Sequence, residues 1–198
     1  MVLEEALELR GDEIVLDFGC GSGRISYWVA PKVNRVLGLE VTPEMIDLAE
    51  RNRTSENVEF ILYDGIHFPV LSSLSDLVLS VGVLQTMGVE SLKETVSQLM
   101  GYLKSGGKMV FIEQASDNRR VGRPKLQEYL HAFEDLRMKL LRHYPIRRGR
   151  WWFLYLIRYG IIPRVLFPKI AKHEIHCLRN RKSHISYYRD YLFVLWKS

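Results

Sequence analysis

Residues 13–23 read EIVLDFGCGSG, and no other stretch limits the fold so tightly. Ile14, Val15, Leu16 and Phe18 make a short apolar run, the pattern of a strand buried on both faces. Gly19, Gly21 and Gly23 then alternate with small residues. Glycine lets the backbone adopt conformations and close approaches that a Cβ would block. GRISYWVA (23–30) begins a helix. A strand, a glycine turn and a helix in that order open a parallel sheet, because parallel neighbours need a crossover between them.

The next segments continue the alternation. RVLGLE (35–40) reads as a second strand, with Thr42 as an N-cap and Pro43 at the first helical position. Met45, Ile46, Leu48 and Ala49 give that helix an apolar face. VEFILY (58–63) and DLVLSV (76–81) read as the third and fourth strands. A helix from Glu90 to Leu103 is expected to stop at Gly106-Gly107. GKMVFIEQ (107–114) is a fifth strand. LQEYLHAFEDL (126–136) reads as a helix, and RMKLLRHYPI (137–146) as either its continuation or a sixth strand. DYLFVLWKS (190–198) closes the chain as a final strand. About forty basic and aromatic residues precede it, longer than an ordinary connection, and Pro163 and Pro168 break them into at least two helical pieces.

The expected fold class is therefore α/β: a mostly parallel sheet with helices on both faces and a helical insertion before the last strand. The length of 198 residues fits one domain. We expect a core at 13–114 and a basic aromatic insertion at 147–188 that covers a substrate. There is no internal repeat and no low-complexity tract. Cys20 and Cys177 are the two cysteines, and Cys20 lies inside the glycine loop. That argues against a disulfide framework and for a reducing, cytoplasmic setting. The opening MVLEEALELR lacks the apolar core of a secretory signal, and no run of 18 apolar residues occurs. Charge is split along the chain. Residues 1–136 carry 13 Lys and Arg against 21 Asp and Glu, whereas residues 137–198 carry 15 against 2. The basic portion is expected to face something anionic, such as lipid head groups, nucleic acid or a phosphorylated substrate.

Ligands of open parallel sheets bind beyond the carboxyl ends of the strands. Three of the first four ends here carry an acid: Asp17, Glu40 and Asp64. A pyrophosphate would meet a repulsive field at such a site. A ligand with positive charge, a ribose diol and an amino group would meet a complementary one. S-adenosylmethionine has an ammonium, a sulfonium, a ribose diol and an adenine amino group. Glu40 lies 21 residues beyond Gly19, a separation that suits an acid accepting from a ribose diol. The dinucleotide pattern G-x-G-x-x-G is not met, since Arg24 and Ser26 occupy the places where its last glycine would stand. GYLKSGGK (101–108) is not a phosphate-binding P-loop, because Tyr102 replaces the required earlier glycine.

With these residues in order, the chain resembles the class I S-adenosylmethionine-dependent methyltransferase family. VLDFGCGSG resembles the family's first motif, GLEVTPEMIDLAE (38–50) its second cofactor segment, and YDGIHFP (63–69) the segment whose acid meets adenine. DLVLSVGVLQTM (76–87) and LKSGGKMVFIEQ (103–114) resemble the fourth and fifth strands. The resemblance covers roughly residues 13–114 and, more faintly, the last strand. It implies a Rossmann-like sheet with an antiparallel last strand. It also implies S-adenosyl-L-methionine as cofactor and S-adenosyl-L-homocysteine as product. Asp17 would lie near the methionine amino group, and the backbone from Gly19 through Cys20 and Gly21 to Gly23 would hold the amino-acid end and ribose. Glu40 would take the ribose, Val41 would pack on adenine, and Asp64 would meet its amino group. Gly65, Ser80 and Val81 complete the cofactor-facing set. Many relatives carry a histidine pair after the fourth strand, where this chain has Gln85-Thr86.

The acceptor side is less defined. His67 is the nearest general-base candidate by sequence, and it reads equally as an exposed loop residue. Gln85 and Thr86 could orient a substrate or cap the next helix. Tyr27 and Trp28 read as core. HEIHC (173–177) offers His173, His176 and Cys177, with His184 further on, but lacks four well-spaced zinc ligands, so no metal is expected. In the insertion, Arg147, Arg148 and Arg150 flank Trp151 and Trp152, and Lys169 and Lys172 follow. This segment fits a peripheral site on the inner face of an anionic membrane, where Trp151 and Trp152 would help present a lipid-linked or glycan acceptor. It also fits RNA, gripped by phosphate contact and base stacking, or a cap whose aromatics pack on the sheet. The loop SVGVL lacks the Pro-Pro-aromatic signature of base-amino methyltransferases, and a paired catalytic cysteine is absent. The expected activity is O-methylation of a small-molecule, glycan or lipid-linked acceptor. The alternatives are an RNA methyltransferase, a non-catalytic S-adenosylmethionine-binding protein and a nicotinamide-dependent oxidoreductase. Oligomeric state is not legible.

Overall fold

The structure is a computed structural model that describes residues 2–70, 74–148, 153–180 and 188–197. Seven strands form one sheet: β1 (Ile14–Phe18), β2 (Arg35–Glu40), β3 (Val58–Leu62), β4 (Ser75–Val81), β5 (Leu103–Ala115), β6 (Lys139–Arg148) and β7 (Arg189–Trp196). Their order across the sheet is β3-β2-β1-β4-β5-β7-β6. β1 pairs in parallel with both β2 and β4, so the glycine loop leaves from the middle of the sheet. β7 runs antiparallel to both its neighbours, β5 and β6. The sheet is the mostly parallel, Rossmann-like arrangement that the strand pattern implies.

Helices cover both faces because the strands are apolar on both. On one face Leu16, Phe18, Phe111 and Phe193 pack under α4 (Val89–Gly101) and α5 (Leu126–Asp135). On the other, Val15, Val36, Leu79 and Leu192 pack under α1 (Val2–Leu7) and α2 (Arg24–Val29). α3 (Pro43–Arg51) follows β2 at the rim. Its expected apolar face is only partly used: Ala49 is buried, whereas Met45 and Leu48 are exposed.

Two boundaries differ from the sequence reading and one open alternative is resolved, each for a local reason. The helix expected to stop at Gly106-Gly107 ends at Gly101 instead, and the chain enters β5 at once. The glycine pair lies within a bulge, where the β4–β5 register jumps from Ser75–Leu103 to Leu77–Lys108. A Cβ on Gly107 would lie 2.7 Å from the Leu103 side chain and 3.0 Å from the Asp76 carbonyl, so the bulge requires glycine there. The ambiguous 137–146 stretch is strand. α5 is closed by Arg137, which takes a left-handed φ of 55°, while the Met138 N–H donates to the Phe133 carbonyl at 3.0 Å. This is a Schellman closure without glycine. Arg147 and Arg148, read as the start of the insertion, are paired with Asp190 and Arg189 in β6.

Between β6 and β7 lie α6 (Phe153–Arg158) and α7 (Phe167–Asn180), and α7 packs on β6. Trp151, Trp152 and His184 lie outside the described residues. Among the described residues no helix is long and apolar enough to cross a membrane.

Phe193 shows how much rests on β7. It is fully buried, with Tyr129 and Phe133 at ring-centroid distances of 5.3 and 5.4 Å. Phe193→Ala is expected to cost about 3–5 kcal/mol of stability. Urea unfolding of the two proteins measures this, and a loss under 1 kcal/mol (roughly that of a surface change) would contradict the central placement of β7.

Candidate active site

The glycine loop folds back over the end of β2. The N–H groups of Gly19 and Cys20 both donate to the Leu39 carbonyl, at 2.8 and 3.0 Å. Gly19, Gly21 and Gly23 have φ values of 70°, 54° and 77°, in the region that favours glycine. Space reinforces the demand at two of them. A Cβ on Gly19 would lie 2.2 Å from Val83 Cγ2, and one on Gly23 would lie 2.8 Å from Phe60 Cζ.

Glu40, at the end of β2, fastens the same loop. Its Oε2 accepts from the Gly21 N–H at 2.9 Å, and its Oε1 accepts from the N–H groups of Val41 and Thr42 at 2.9 and 3.0 Å. Thr42 does stand at the N-cap of α3, but its hydroxyl makes no capping bond. Val41 is exposed at the rim, and its Cγ1 would lie 3.4 Å from a Cβ on Gly65. Val41 and Gly65 therefore face each other across the mouth of the loop.

Asp17 is 2% exposed and accepts from the Ser26 hydroxyl at 2.6 Å. Burial pushes its carboxyl up to about 6, against the opposing pull of the Ser26 donors. The Cys20 thiol is also pushed up, first by burial and then by the Asp17 and Glu40 carboxylates. Asp17, Cys20 and Glu40 are all buried, so the loop is a largely dry place with two carboxyl groups beside it.

Asp64 and His67 form a unit of their own. Asp64 Oδ1 accepts from the N–H groups of Ile66 and His67, and Oδ2 lies 2.6 Å from His67 Nδ1. These His67 bonds hold the Asp64 carboxyl down at about 2. An amino group meeting Asp64 would share Oδ2 with the imidazole. β3 is the edge strand, three strand positions from β4, or roughly 14 Å at the usual spacing. His67 is thus brought to Asp64 beyond the end of β3, away from the loop after β4.

That loop is organised by Glu113 on β5, a residue the sequence reading passed over. Glu113 is 1% exposed. It accepts from the Ser80 hydroxyl at 3.3 Å and from the N–H groups of Val83 and Gln85 at 3.2 and 3.0 Å. Burial pushes its carboxyl up to about 7, opposed by those backbone donors. Gln85 extends the lattice by accepting from the Gln114 N–H at 2.8 Å. Arg123 donates to the Gln85 carbonyl at 3.2 Å and to Gln114 Oε1 at 3.1 Å. Thr86 spends its hydroxyl on the Val83 carbonyl at 2.6 Å. Val81, at the end of β4, is half-buried beside this turn. One signal for Glu113 was available: an acid inside an otherwise apolar strand, FIE. Its partners could not be read, because they come from another loop.

The remaining sequence candidates fall elsewhere. Tyr27 and Trp28 are half-buried on α2 and pack against the apolar core, and Tyr27 donates its hydroxyl to the Ala49 carbonyl at 2.8 Å. Cys177 Sγ lies 3.5 Å from His173 Nε2 on α7. Among the described residues no group of three metal-ligating side chains occurs.

The chain is similar to known methyltransferases. Residues 15–107 match the family model described as a methyltransferase domain. The chain is 32% identical over 108 residues to a malonyl-[acyl-carrier protein] O-methyltransferase of Hamiltonella defensa, covering 53% of this chain and 40% of that one. It is 40% identical over 55 residues to an uncharacterized RNA methyltransferase of Clostridium tetani, covering 28% and 12%. The chain thus spans less than half the length of these curated relatives. Among solved structures, geranyl diphosphate C-methyltransferase from Streptomyces coelicolor superposes with a TM-score of 0.69 at 19% identity, covering all of this chain and 76% of that one.

The two raised carboxyls set a pH dependence. Asp17 and Glu113 bind protons more tightly folded than unfolded, so their contribution to stability is full at low pH. It is lost as pH rises from about 4 to 7. Glu113→Gln is expected to flatten the upper part of this decline, and urea midpoints across that range test it. An unchanged slope would contradict the buried, N–H-bonded state of Glu113.

Proposed function

We propose that this chain, whose residues 15–107 match the methyltransferase-domain model, is a class I S-adenosylmethionine-dependent methyltransferase that methylates an oxygen on a small-molecule, glycan or lipid-linked acceptor. The observation that carries the cofactor assignment is the pair of buried carboxylates at the glycine loop, Asp17 bonded to Ser26 and Glu40 bonded to the Gly21 N–H. A cation is stabilised there and a phosphate is repelled. When bound, S-adenosylmethionine supplies a methyl carbon made electrophilic by its sulfonium.

The chain's own residues supply binding and alignment. The Asp17 carboxylate accepts from the ammonium, directly or through water, which offsets the cost of burying its charge. Glu40, already fixed by three N–H groups, presents its remaining lone pairs to the ribose diol. A carboxylate held this way loses little entropy on binding. Val41 and Gly65 enclose the adenine, and Asp64 with His67 shapes the rim beside it. Cys20, Gly21, Ser80 and Val81 line the floor beneath. Glu113 is too buried to touch an acceptor and acts by positioning. Its carboxylate holds the Gln85 loop beside the ends of β4 and β5, where alignment and exclusion of water lower the barrier.

The oxygen assignment draws on the O-methyltransferase named above. The RNA reading draws on the RNA methyltransferase, whose match covers 28% of this chain, too small a share to carry an acceptor.

Titration calorimetry with S-adenosylhomocysteine tests the site. Asp17→Asn and Glu40→Gln are each expected to weaken binding by about 10- to 100-fold, the worth of one hydrogen bond to a charged group. Unchanged affinity in both variants would overturn the assignment. Labelled methyl transfer into fractionated cell extract tests the acceptor. Label in the lipid, carbohydrate or small-molecule fraction supports the oxygen reading, and label in nuclease-sensitive material replaces it with RNA.

A further inference from the structure

The turn between α6 and α7 has an unusual surface. Tyr159, Ile161, Val165 and Leu166 are 73%, 64%, 78% and 40% exposed within eight consecutive residues. A soluble surface scatters such side chains singly, so a cluster of this kind asks for a partner. The turn is built, not frayed. The Gly160 N–H donates to the Ile157 carbonyl at 3.1 Å, and the Ile161 N–H donates to the Leu156 carbonyl at 2.9 Å. Gly160 has a φ of 70°. These are the two bonds and the left-handed residue of a Schellman closure. In that motif the residue after the glycine usually packs back on its helix, but Ile161 points most of its surface outward. The Leu166 N–H then donates to the Pro163 carbonyl at 2.9 Å and turns the chain into α7.

The charge around the turn has one sign. Arg158, Arg164, Lys169 and Lys172 are all exposed, and no Asp or Glu occurs from residue 153 to residue 173. Lys169 and Lys172 are three apart on α7, hence on one face of the helix. Glu174, the first acid met, is buried. Residues 1–136, by contrast, are net negative. The molecule therefore carries a charge asymmetry that would turn the α6–α7 end toward an anionic surface and the rest away from it.

We infer that this turn docks on an anionic lipid bilayer, with Ile161, Val165 and Leu166 entering the interface and Arg158, Arg164, Lys169 and Lys172 meeting lipid phosphates. The shape of the side chains decides between lipid and RNA. Single-stranded nucleic acid is held by aromatic planes on which bases stack. Three of the four exposed apolar side chains here are branched aliphatics with no plane to offer. In a bilayer interface those same groups gain by leaving water. The inference does not depend on methyl transfer.

The test is co-sedimentation of the whole protein with vesicles of phosphatidylcholine alone or mixed with phosphatidylglycerol, at low and raised salt. The protein is expected to sediment with the mixed vesicles and to be released as salt rises. Lys169→Gln with Lys172→Gln should weaken this binding roughly 25-fold, at about fivefold for each basic residue near the surface. Ile161→Ser with Val165→Ser should leave weak binding that raised salt abolishes completely. Both pairs are exposed, so circular dichroism and S-adenosylhomocysteine affinity are expected to stay at the parent values and keep this result separate from the cofactor reading. The inference is overturned by equal recovery with both vesicle types, by no recovery, or by variants that bind as the parent does. It is also overturned if a single-stranded RNA binds while vesicles do not, and if Ile161→Ser with Val165→Ser leaves that binding intact.

Discussion

Everything at the cofactor edge depends on how the end of β2 receives the loop that leaves β1. Two successive N–H groups converge on the Leu39 carbonyl, and a third reaches the Glu40 carboxylate. The loop can come this close only because Gly19 has no Cβ to strike Val83. The same contact brings the loop after β4 against the loop after β1. Three segments far apart in sequence are thereby held in fixed relation before any ligand arrives. Preorganisation of this kind spares the ordering cost at the moment of binding.

The price of that arrangement is buried negative charge. Asp17 and Glu113 sit on opposite faces of the sheet, each in a dry place and each bonded by N–H or O–H donors, not by a cation. Neutral donors only partly offset the loss of water, and both carboxyls are shifted upward as a result. Asp17 opens on a loop whose proposed ligand is cationic, so its penalty is relieved on binding. Glu113 has no such relief, and its charge is spent on holding the Val83–Gln85 turn.

The first half of the molecule was open to sequence reading because β1, β2 and β4 are buried on both faces. Such strands are near-continuous apolar runs, and the strand ends are marked by acids: Asp17, Glu40 and, just past β3, Asp64. The second half was harder for reasons visible in particular residues. Arg137 ends α5 in a left-handed conformation that sequence assigns to glycine, so the break before β6 was hidden. Gly106-Gly107 looked like a helix stop and is a bulge instead. That His67 would sit against Asp64 three strand positions from β4 could not be read, because strand order is not written in strand pattern. Glu113 was missed because its meaning comes from a loop 28 to 30 residues earlier.

The position of β7 has a consequence for how the chain reaches this state. Among the described residues β6 is an edge strand whose only sheet neighbour is β7, and forty residues separate the two. During synthesis, at about 5–20 residues per second, β6 emerges seconds before the strand that must lie between it and β5. Throughout that interval β5 also has an open flank, with Phe111 and Met109 uncapped on one side. The nascent protein thus passes through a state with two unpaired strand edges, one on β5 and one on β6. Such edges are templates for pairing with other chains, and the sheet is protected from them only when β7 slots in.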